Sequence, residues 1–432
     1  MLCSLMPRFN GSNALTGPIT LVYFNAGGGH RAAAHALKSQ LNAQNPPWDV
    51  RLVDLFEVLD PEHRFKRMTG FAPESYYNKR LSTGFTLGLK HELKVLQAMI
   101  RMAHPQLVHC LVGYWHQIQP AMVVSLVPNF NRAIGASLQR YRPRNVSMNA
   151  STFVPPDTAV PYVTVMTDMA DYPPHFWVEP GYTEHVVCGT EYACAQAIAQ
   201  GMATDRIHRV SGMMLSPRFY ASVRNDSASD SARDSASEMA GKRQQARQAL
   251  GFEPDQAVGC VMFGGHGSSA MRRIATMLSD RPMILLCGRN EALQRSLKRL
   301  TAKAPHVVVG FTDDVAHWMQ LSDYFIGKPG PGSISEALHC GLPVIVTRNA
   351  WTMPQERFNT DWVRDQGLGQ VVSSTAQIPG AVSEVIANLA PFRKAVAQLR
   401  NRALFEVVRT LEDIITPSVC PQSLYAQAGT LE

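Results

Sequence analysis

The stretch Tyr324-Phe-Ile-Gly-Lys-Pro-Gly-Pro-Gly-Ser333-Ile-Ser-Glu336-Ala-Leu-His-Cys-Gly341-Leu-Pro-Val-Ile-Val346 reads as strand, glycine-rich turn, helix, glycine stop and second strand. Tyr324 to Ile326 is a short apolar run. Gly327 to Gly332 holds three Gly and two Pro, which no helix or strand interior accepts. Ser333 is a good N-cap residue, and Glu336 stands three positions on, the spacing of a capping box. Gly341 closes the helix and Pro343 follows it. Backbone N–H groups at such a helix start attract anions, phosphates above all. An ordinary βα turn with a capping Glu has the same pattern, so this stretch alone leaves a structural turn and a phosphate site both open.

The same unit recurs outward from it. At the start of the chain Ile19-Thr-Leu-Val-Tyr-Phe24 is a buried-strand run, followed by Asn25-Ala-Gly-Gly-Gly-His30 and a helix over about Arg31–Leu41. Strand, glycine turn and helix make a Rossmann-like opening, although the glycines are not in the G-x-G-x-x-G arrangement that implies a dinucleotide. His30 falls at the helix start, where the positive dipole end favours the neutral imidazole, a form that can accept a proton. Further strands are expected at Arg51–Phe56, Ala121–Val127, Pro161–Met166 and Val186–Cys188. The run Pro161–Met166 delivers Thr167-Asp168 to a strand carboxyl end, where open α/β sheets bind ligands. A turn-forming Asp is the other reading. Beyond a polar tract at 225–237, Ala257–Phe263 runs into Gly264-Gly-His-Gly-Ser-Ser269, and strands and helices then alternate to a long amphipathic helix over about Lys394–Ile414.

The 432 residues, 45% hydrophobic and 17% charged, suggest a soluble globular protein of two or three domains. No apolar run is long enough to span a membrane, and the start lacks the regions of a signal peptide. The eight cysteines are scattered without a C-x-x-C pair, which reads as reduced core thiols in a cytoplasmic protein. Six of the seven net positive charges fall between His63 and Trp115, a segment also rich in Phe, Tyr, Leu and Met. Basic and apolar together is the composition of a surface that touches anionic lipid. A solvated helical face is the plain alternative, and no nucleic-acid recognition motif is present.

Two α/β domains with glycine turns at strand ends make a cleft, and convergent helix starts there suit a diphosphate without a metal. The sequence holds no D-x-D pair and no G-x-x-x-x-G-K-[ST] loop, so neither a metal-bridged nucleotide nor an ATPase is expected. Glu336, one turn into its helix, can accept both hydroxyls of a ribose. Preorganised N–H groups would meet the charge on a departing nucleoside diphosphate. Together these are the parts of a glycosyl-transfer site.

Gly27-Gly-Gly-His30, Phe263-Gly-Gly-His-Gly-Ser268, Gly330-Pro-Gly-Ser-Ile-Ser-Glu-Ala337 and Pro354-Gln-Glu-Arg-Phe-Asn359 resemble the monogalactosyldiacylglycerol synthases and the bacterial processive diacylglycerol glycosyltransferases. More distantly they resemble the peptidoglycan N-acetylglucosaminyl transferase. The resemblance runs in order over roughly residues 19–375. It implies an α/β GT-B fold of two Rossmann-like domains, and inverting, metal-independent transfer of a hexose from a UDP-sugar to a lipid such as diacylglycerol. No cofactor is expected, since the UDP-sugar is a substrate. The family pattern makes His30 the candidate base, with Asp168 to support or replace it. Gly28 and Gly29 would lie on the acceptor side, and Pro174 and Trp177 would meet the acceptor or its membrane. Gly265, Gly267 and Ser268 would line the diphosphate and uridine, with Gly330, Gly332 and Ser333 at the phosphates. The backbone at Phe311 would read the uracil edge, Glu336 would hold the ribose, and Gln355, Glu356 and Asn359 would serve the donor sugar. His266 and Trp351-Thr-Met353 depart from the pattern.

The expected organisation is an acceptor-side domain at 17–223, a linker or insertion at 224–244, a UDP-sugar domain at 245–390, a C-terminal helix at 391–415 that crosses back, and a tail at 416–432. The protein is expected in the cytoplasm, bound peripherally to the inner face of the cell membrane through residues 63–115. A UDP-sugar 2-epimerase and a non-catalytic nucleotide-sugar or lipid-binding protein are the competing readings.

Overall fold

The computed structural model describes residues 17–25, 28–60, 89–142, 160–221 and 230–416, with the backbone alone described at 89–92 and 230–237. The first half runs β1 (Ile19–Tyr23), α1 (Gly29–Asn42), β2 (Val50–Asp54), α2 (Leu55–Leu59), α3 (Leu89–Met102), α4 (His104–Ile118), β3 (Met122–Ser125), α5 (Asn131–Arg140), β4 (Tyr162–Val165), β5 (His185–Cys188), α6 (Glu191–Ala199), β6 (Ile207–Arg209) and α7 (Pro217–Ala221). The second half runs α8 (Asp230–Ala249), β7 (Gly259–Met262), α9 (Ala270–Met277), β8 (Met283–Leu286), α10 (Glu291–Lys298), β9 (His306–Val309), α11 (Val315–Gln320), β10 (Tyr324–Gly327), α12 (Pro331–His339) and β11 (Val344–Thr347). It ends with α13 (Arg357–Asp365), β12 (Gly369–Val372), α14 (Ile378–Ala387), α15 (Leu389–Val396) and α16 (Ala403–Ile415).

The strands form two six-stranded sheets, ordered β2-β1-β3-β4-β5-β6 and β12-β11-β10-β7-β8-β9. Every pairing between them is parallel. This is the GT-B arrangement that the sequence reading expects. Parallel sheets are covered on both faces, which is why most of these strands read as unbroken Val, Ile and Leu runs. One apolar cluster of the second sheet gathers Cys260, Ile284, Phe325 and Val344, and the other Val261, Leu285, Ile326 and Ile345. In each sheet the strand order reverses once, between β1 and β3 and between β7 and β10. The glycine turns after β1, β7 and β10 therefore sit at the switch points, where the chain leaves in opposite directions and opens a crevice.

The halves are joined by packing. Met169, Met213, Leu215 and Phe219 of the first half lie in the same apolar cluster as Phe325 and Ile334 of the second. Ala403, Val407, Val408 and Leu411 of α16 pack with Leu21, Leu37 and Val124, so the last helix covers the first sheet.

Several elements depart from the sequence reading. The strand expected to reach Phe56 ends at Asp54, whose carboxylate accepts from the Phe56 N–H and starts α2. The long helix expected from Lys394 is two helices, α15 and α16, with Arg402 as the N-cap position of the second. Helix α8 starts at Asp230, inside the tract assigned to a linker. Its Arg243 and Arg247 pair with the buried Asp323 at 2.9 and 3.0 Å, which ties the helix to the second domain. Residues 61–88, most of the basic aromatic segment, the start of the polar tract, the first 16 residues and the tail beyond 416 lie outside the described residues.

Candidate active site

Four residues of the first half converge where β1 and β4 end. His30 is the second residue of α1, set there by Gly28, whose φ of 82° is open to glycine at no steric cost. Its Nδ1 lies 2.8 Å from the Thr167 hydroxyl. Burial pushes the imidazole down to about 4, only partly opposed by a bond to the Leu126 carbonyl. His30 is thus neutral at physiological pH, and a weak base.

Asp168 follows Thr167 at the same strand end. Burial pushes its carboxyl up to about 7, the bond from Trp177 opposes this, and then Glu356 pushes it up and Lys328 pulls it down. The Trp177 indole N–H donates to Oδ2 at 3.0 Å. Trp177 is itself held by a bond from its backbone N–H to Asp171 Oδ1 at 2.7 Å, and Gln200 donates to the other oxygen of Asp171 at 2.6 Å. Trp177, expected to meet the acceptor or the membrane, is 0% exposed and so offers no surface to a membrane, and Asp168 provides the acceptor that its buried indole N–H needs. Pro174, in the same loop, is exposed.

The residues that the sequence reading assigns to the donor lie in the second half. In the turn after β7, Gly264 and Gly267 have φ of 73° and 59°, and the Ser268 hydroxyl accepts from the Ala270 N–H at 3.3 Å. Arg289 donates its backbone N–H to Gly265 at 2.9 Å, and its guanidinium lies 4.0 Å from the centroid of the Phe311 ring, which is half-exposed. Helix α12 begins at Pro331 with Gly330 as its N-cap, three residues before the expected cap at Ser333. Proline at the first helical position needs no hydrogen-bond partner and has the right φ already. Ser333 is therefore inside the helix, its hydroxyl donating to the Gly330 carbonyl at 3.3 Å, and the capping box with Glu336 does not form. Glu336 is pushed up to about 7 by burial, and it has no hydrogen-bond or ion-pair partner among the described residues.

A 3₁₀ turn at Pro354–Glu356 leads into α13. Gln355, Glu356 and Asn359 are 6%, 4% and 0% exposed, so none is a solvated helix start. The Asn359 amide donates to the Pro329 carbonyl at 2.8 Å, which fixes the glycine turn from beneath. Gln355 Oε1 and Asn359 Oδ1 are buried with no hydrogen-bond partner. Buried acceptors left unpaired cost free energy in the empty protein and mark where a ligand's hydroxyls can bind.

Lys328 was not singled out from the sequence. Its Nζ lies 2.8 Å from Glu356 Oε1. The signal was present, since it is the one Lys or Arg between Tyr324 and Val346 and stands inside the glycine turn. Glu356 and Lys328 both act electrostatically on Asp168, so the ion pair lies within reach of the first-half carboxyl. Next to them the rings of Tyr192, on α6, and Phe358, on α13, stack at 4.3 Å with 12° between their planes. The structure does not tie Glu336 or the Phe311 backbone to the first half directly.

Residues 261–413 match the glycosyltransferase family 28 C-terminal domain. Over 426 residues the chain is 24% identical to the chloroplastic monogalactosyldiacylglycerol synthase of Spinacia oleracea, a match that spans 93% of this chain and 73% of the relative. The chain is a glycosyltransferase related to the galactolipid synthases. Among solved structures this glycosyltransferase is similar to MurG of Acinetobacter baumannii, with a TM-score of 0.52 at 12% identity over 91% of this chain and 99% of that one. It is also similar to the UDP-GlcNAc 2-epimerase of Neisseria meningitidis bound to UDP-GlcNAc, with a TM-score of 0.51 at 14% identity over 91% and 99% of the two chains. Both likenesses are of fold, and the GT-B frame is what they share with this glycosyltransferase.

Proposed function

We propose that this glycosyltransferase moves a hexose from a UDP-sugar to a lipid hydroxyl, such as that of diacylglycerol, at a membrane surface, with inversion and without a metal. One observation carries the reading: a buried carboxyl raised to about 7 lies within electrostatic reach of the Lys328–Glu356 ion pair of the other half, and Gln355, next to Glu356, keeps a buried acceptor unpaired. Such a carboxyl is half ionised near neutral pH, the match a general base needs.

In this reading Asp168 takes the proton of the acceptor hydroxyl. The acceptor oxygen attacks the anomeric carbon from the side opposite the diphosphate, so the configuration inverts. His30, neutral and held by Thr167, lies beside Asp168 and orients the hydroxyl rather than receiving its proton. Gln355, Glu356 and Asn359 hold the sugar's hydroxyls, and Glu336 holds the ribose. Gly265, Gly267 and Ser268, with the N–H groups of Gly332 and Ser333 at the start of α12, surround the diphosphate. The galactolipid-synthase relative favours a lipid acceptor.

Helix α3 adds to the lipid side of the reading. Val95, Leu96, Met99 and Met102 are exposed on it, next to Lys94 and Arg101. An apolar stripe edged by cations suits the headgroup layer of an anionic membrane. No helix among the described residues is long and apolar enough to cross a membrane. Peripheral attachment at the inner face of the cell membrane fits this reading.

The test is purified protein with anionic vesicles containing diacylglycerol and a panel of labelled UDP-sugars. Label that enters the lipid phase from one donor supports the reading and names the hexose. Conversion of UDP-GlcNAc to its 2-epimer, with no label in lipid, would replace it with the epimerase reading. UDP-sugar binding with neither reaction would leave a binding protein.

A further inference from the structure

Lys328 has no place in the mechanism above, yet it is held beside Glu356 and near Gly264 and Gly330 of the two glycine turns. Its side chain lies between the two glycine turns of the second sheet. A methyl group placed on Gly330 would sit 3.2 Å from Lys328 Cε and 3.5 Å from Nζ, and one on Gly264 would sit 3.7 Å from Cε. Glycine at 330 thus keeps room for the lysine, because a Cβ there would press on it. The backbone beneath is rigid. Gly330 donates its N–H to the Lys328 carbonyl at 2.8 Å, prolines flank the turn at 329 and 331, and buried Asn359 holds the Pro329 carbonyl.

The head group is less confined than its partner. The Lys328 side chain is 35% exposed, whereas that of Glu356 is 6% exposed. An ammonium carries three donors, and Glu356 takes one of them. No other hydrogen-bond partner of the Lys328 ammonium occurs among the described residues. Two donors therefore remain for a ligand that enters between the turns.

We propose that Lys328 is the leaving-group residue of the transferase: it moves its ammonium from Glu356 to the diphosphate as the donor binds, and so releases the Glu356 carboxylate to accept hydroxyls of the sugar. The inference rests on the UDP-sugar reading and names how that site does without a metal. In the step itself the bond between the anomeric carbon and the β-phosphate oxygen breaks, and its electron pair stays on that oxygen. The new bond forms from the acceptor oxygen, whose proton goes to Asp168. UDP thereby gains one negative charge, and Lys328 keeps its protons and stabilises that charge. Because one ammonium serves both anions, recognition of the diphosphate and of the sugar hydroxyls is coupled. A sugar presented without the diphosphate leaves Glu356 neutralised by the lysine.

The experiment compares wild type with Lys328→Met and Lys328→Gln. The second keeps a hydrogen-bond donor for Glu356 and guards against loss of the fold, which thermal melting checks. UDP affinity is measured by calorimetry, and transfer to diacylglycerol vesicles with and without millimolar Mg²⁺. Both variants should lose UDP affinity by about tenfold or more and transfer by on the order of a thousandfold, as for a lost charge-assisted contact to a developing anion. Mg²⁺ should restore transfer in the variants by about tenfold or more and leave wild type unchanged, since a divalent cation can replace the missing charge. A Lys328→Gln protein that binds UDP and turns over like wild type, or variants with no response to Mg²⁺, would overturn the proposal. Wild-type protein that binds no UDP at all would overturn the UDP-sugar reading, and this inference with it.

Discussion

Asp168 decides the pH behaviour. Its carboxyl sits at about 7 and His30 at about 4, so the two candidate bases give separate profiles. With Asp168 as base, kcat rises with pH through a limb centred near 7; with His30 as base the limb would lie near 4. Trp177→Phe removes a bond to the charged form, so it should move the limb to higher pH, by about half a unit or more. A limb that stays in place would take Trp177 out of the chemistry. The sign for stability is the reverse of the usual carboxylate. A folded value above the ordinary 3.8 means that the native state holds more protons, so stability falls as pH rises from about 4 to about 7. Asp168→Asn should therefore stabilise the protein at pH 8 by on the order of 1–3 kcal/mol while it slows transfer. Thermal melting at pH 5 and pH 8 measures it, and a melting midpoint unchanged at both would contradict the burial cost. The sequence placed Asp168 and His30 at strand and helix ends correctly. It could not show which carries the proton, because that depends on how the Trp177 indole turns to Asp168 and on Glu356, which is distant in sequence.

At the scale of elements, the strands were legible because parallel strands buried on both faces leave unbroken apolar runs. The helix starts were less so. Ser333 and Glu336 have the spacing of a capping box, but Pro331 fits the first helical position better and takes the start three residues earlier. Ser333→Ala should then change stability by less than about 0.5 kcal/mol, against about 1 for a true cap. Chemical denaturation measures it, and a loss at the full cap value would mean that the helix begins at Ser333 after all. Helix α8 was hidden by its own composition, since a tract of Ser, Asp and Ala lacks an apolar stripe. What positions it is the Asp323 carboxylate, which also pairs with Arg393 at 2.7 Å. Lys328 was overlooked for a related reason: a lysine beside prolines and glycines reads as a turn residue until Glu356 is seen opposite it.

At the scale of the whole molecule, a repeated strand–glycine turn–helix unit gave the two-domain frame, and the facing of the two walls had to come from the structure. The last helix returns to the first sheet and the Tyr192–Phe358 stack spans the gap, so the walls are held near each other by contacts that no local pattern encodes. The membrane reading belongs to this scale. Met99→Asp with Met102→Asp on α3 should lower binding to anionic vesicles by about tenfold, as expected when apolar area is lost from an interfacial helix, with UDP affinity unchanged. Vesicle co-sedimentation measures it, and undiminished binding would move the membrane contact elsewhere.

The central claim is that a carboxyl of the first domain activates an acceptor for a sugar held by the second. The direct measurement is a single-turnover time course of labelled hexose from its UDP donor to diacylglycerol vesicles, with wild type and Asp168→Asn side by side and UDP affinity measured on both. The account predicts lipid-borne label of inverted configuration from wild type. For the variant it predicts a rate lower by about a hundredfold or more, as for a lost general base, with UDP affinity within about twofold of wild type. Transfer by Asp168→Asn at the wild-type rate, or wild-type label that never leaves the aqueous phase, would contradict it.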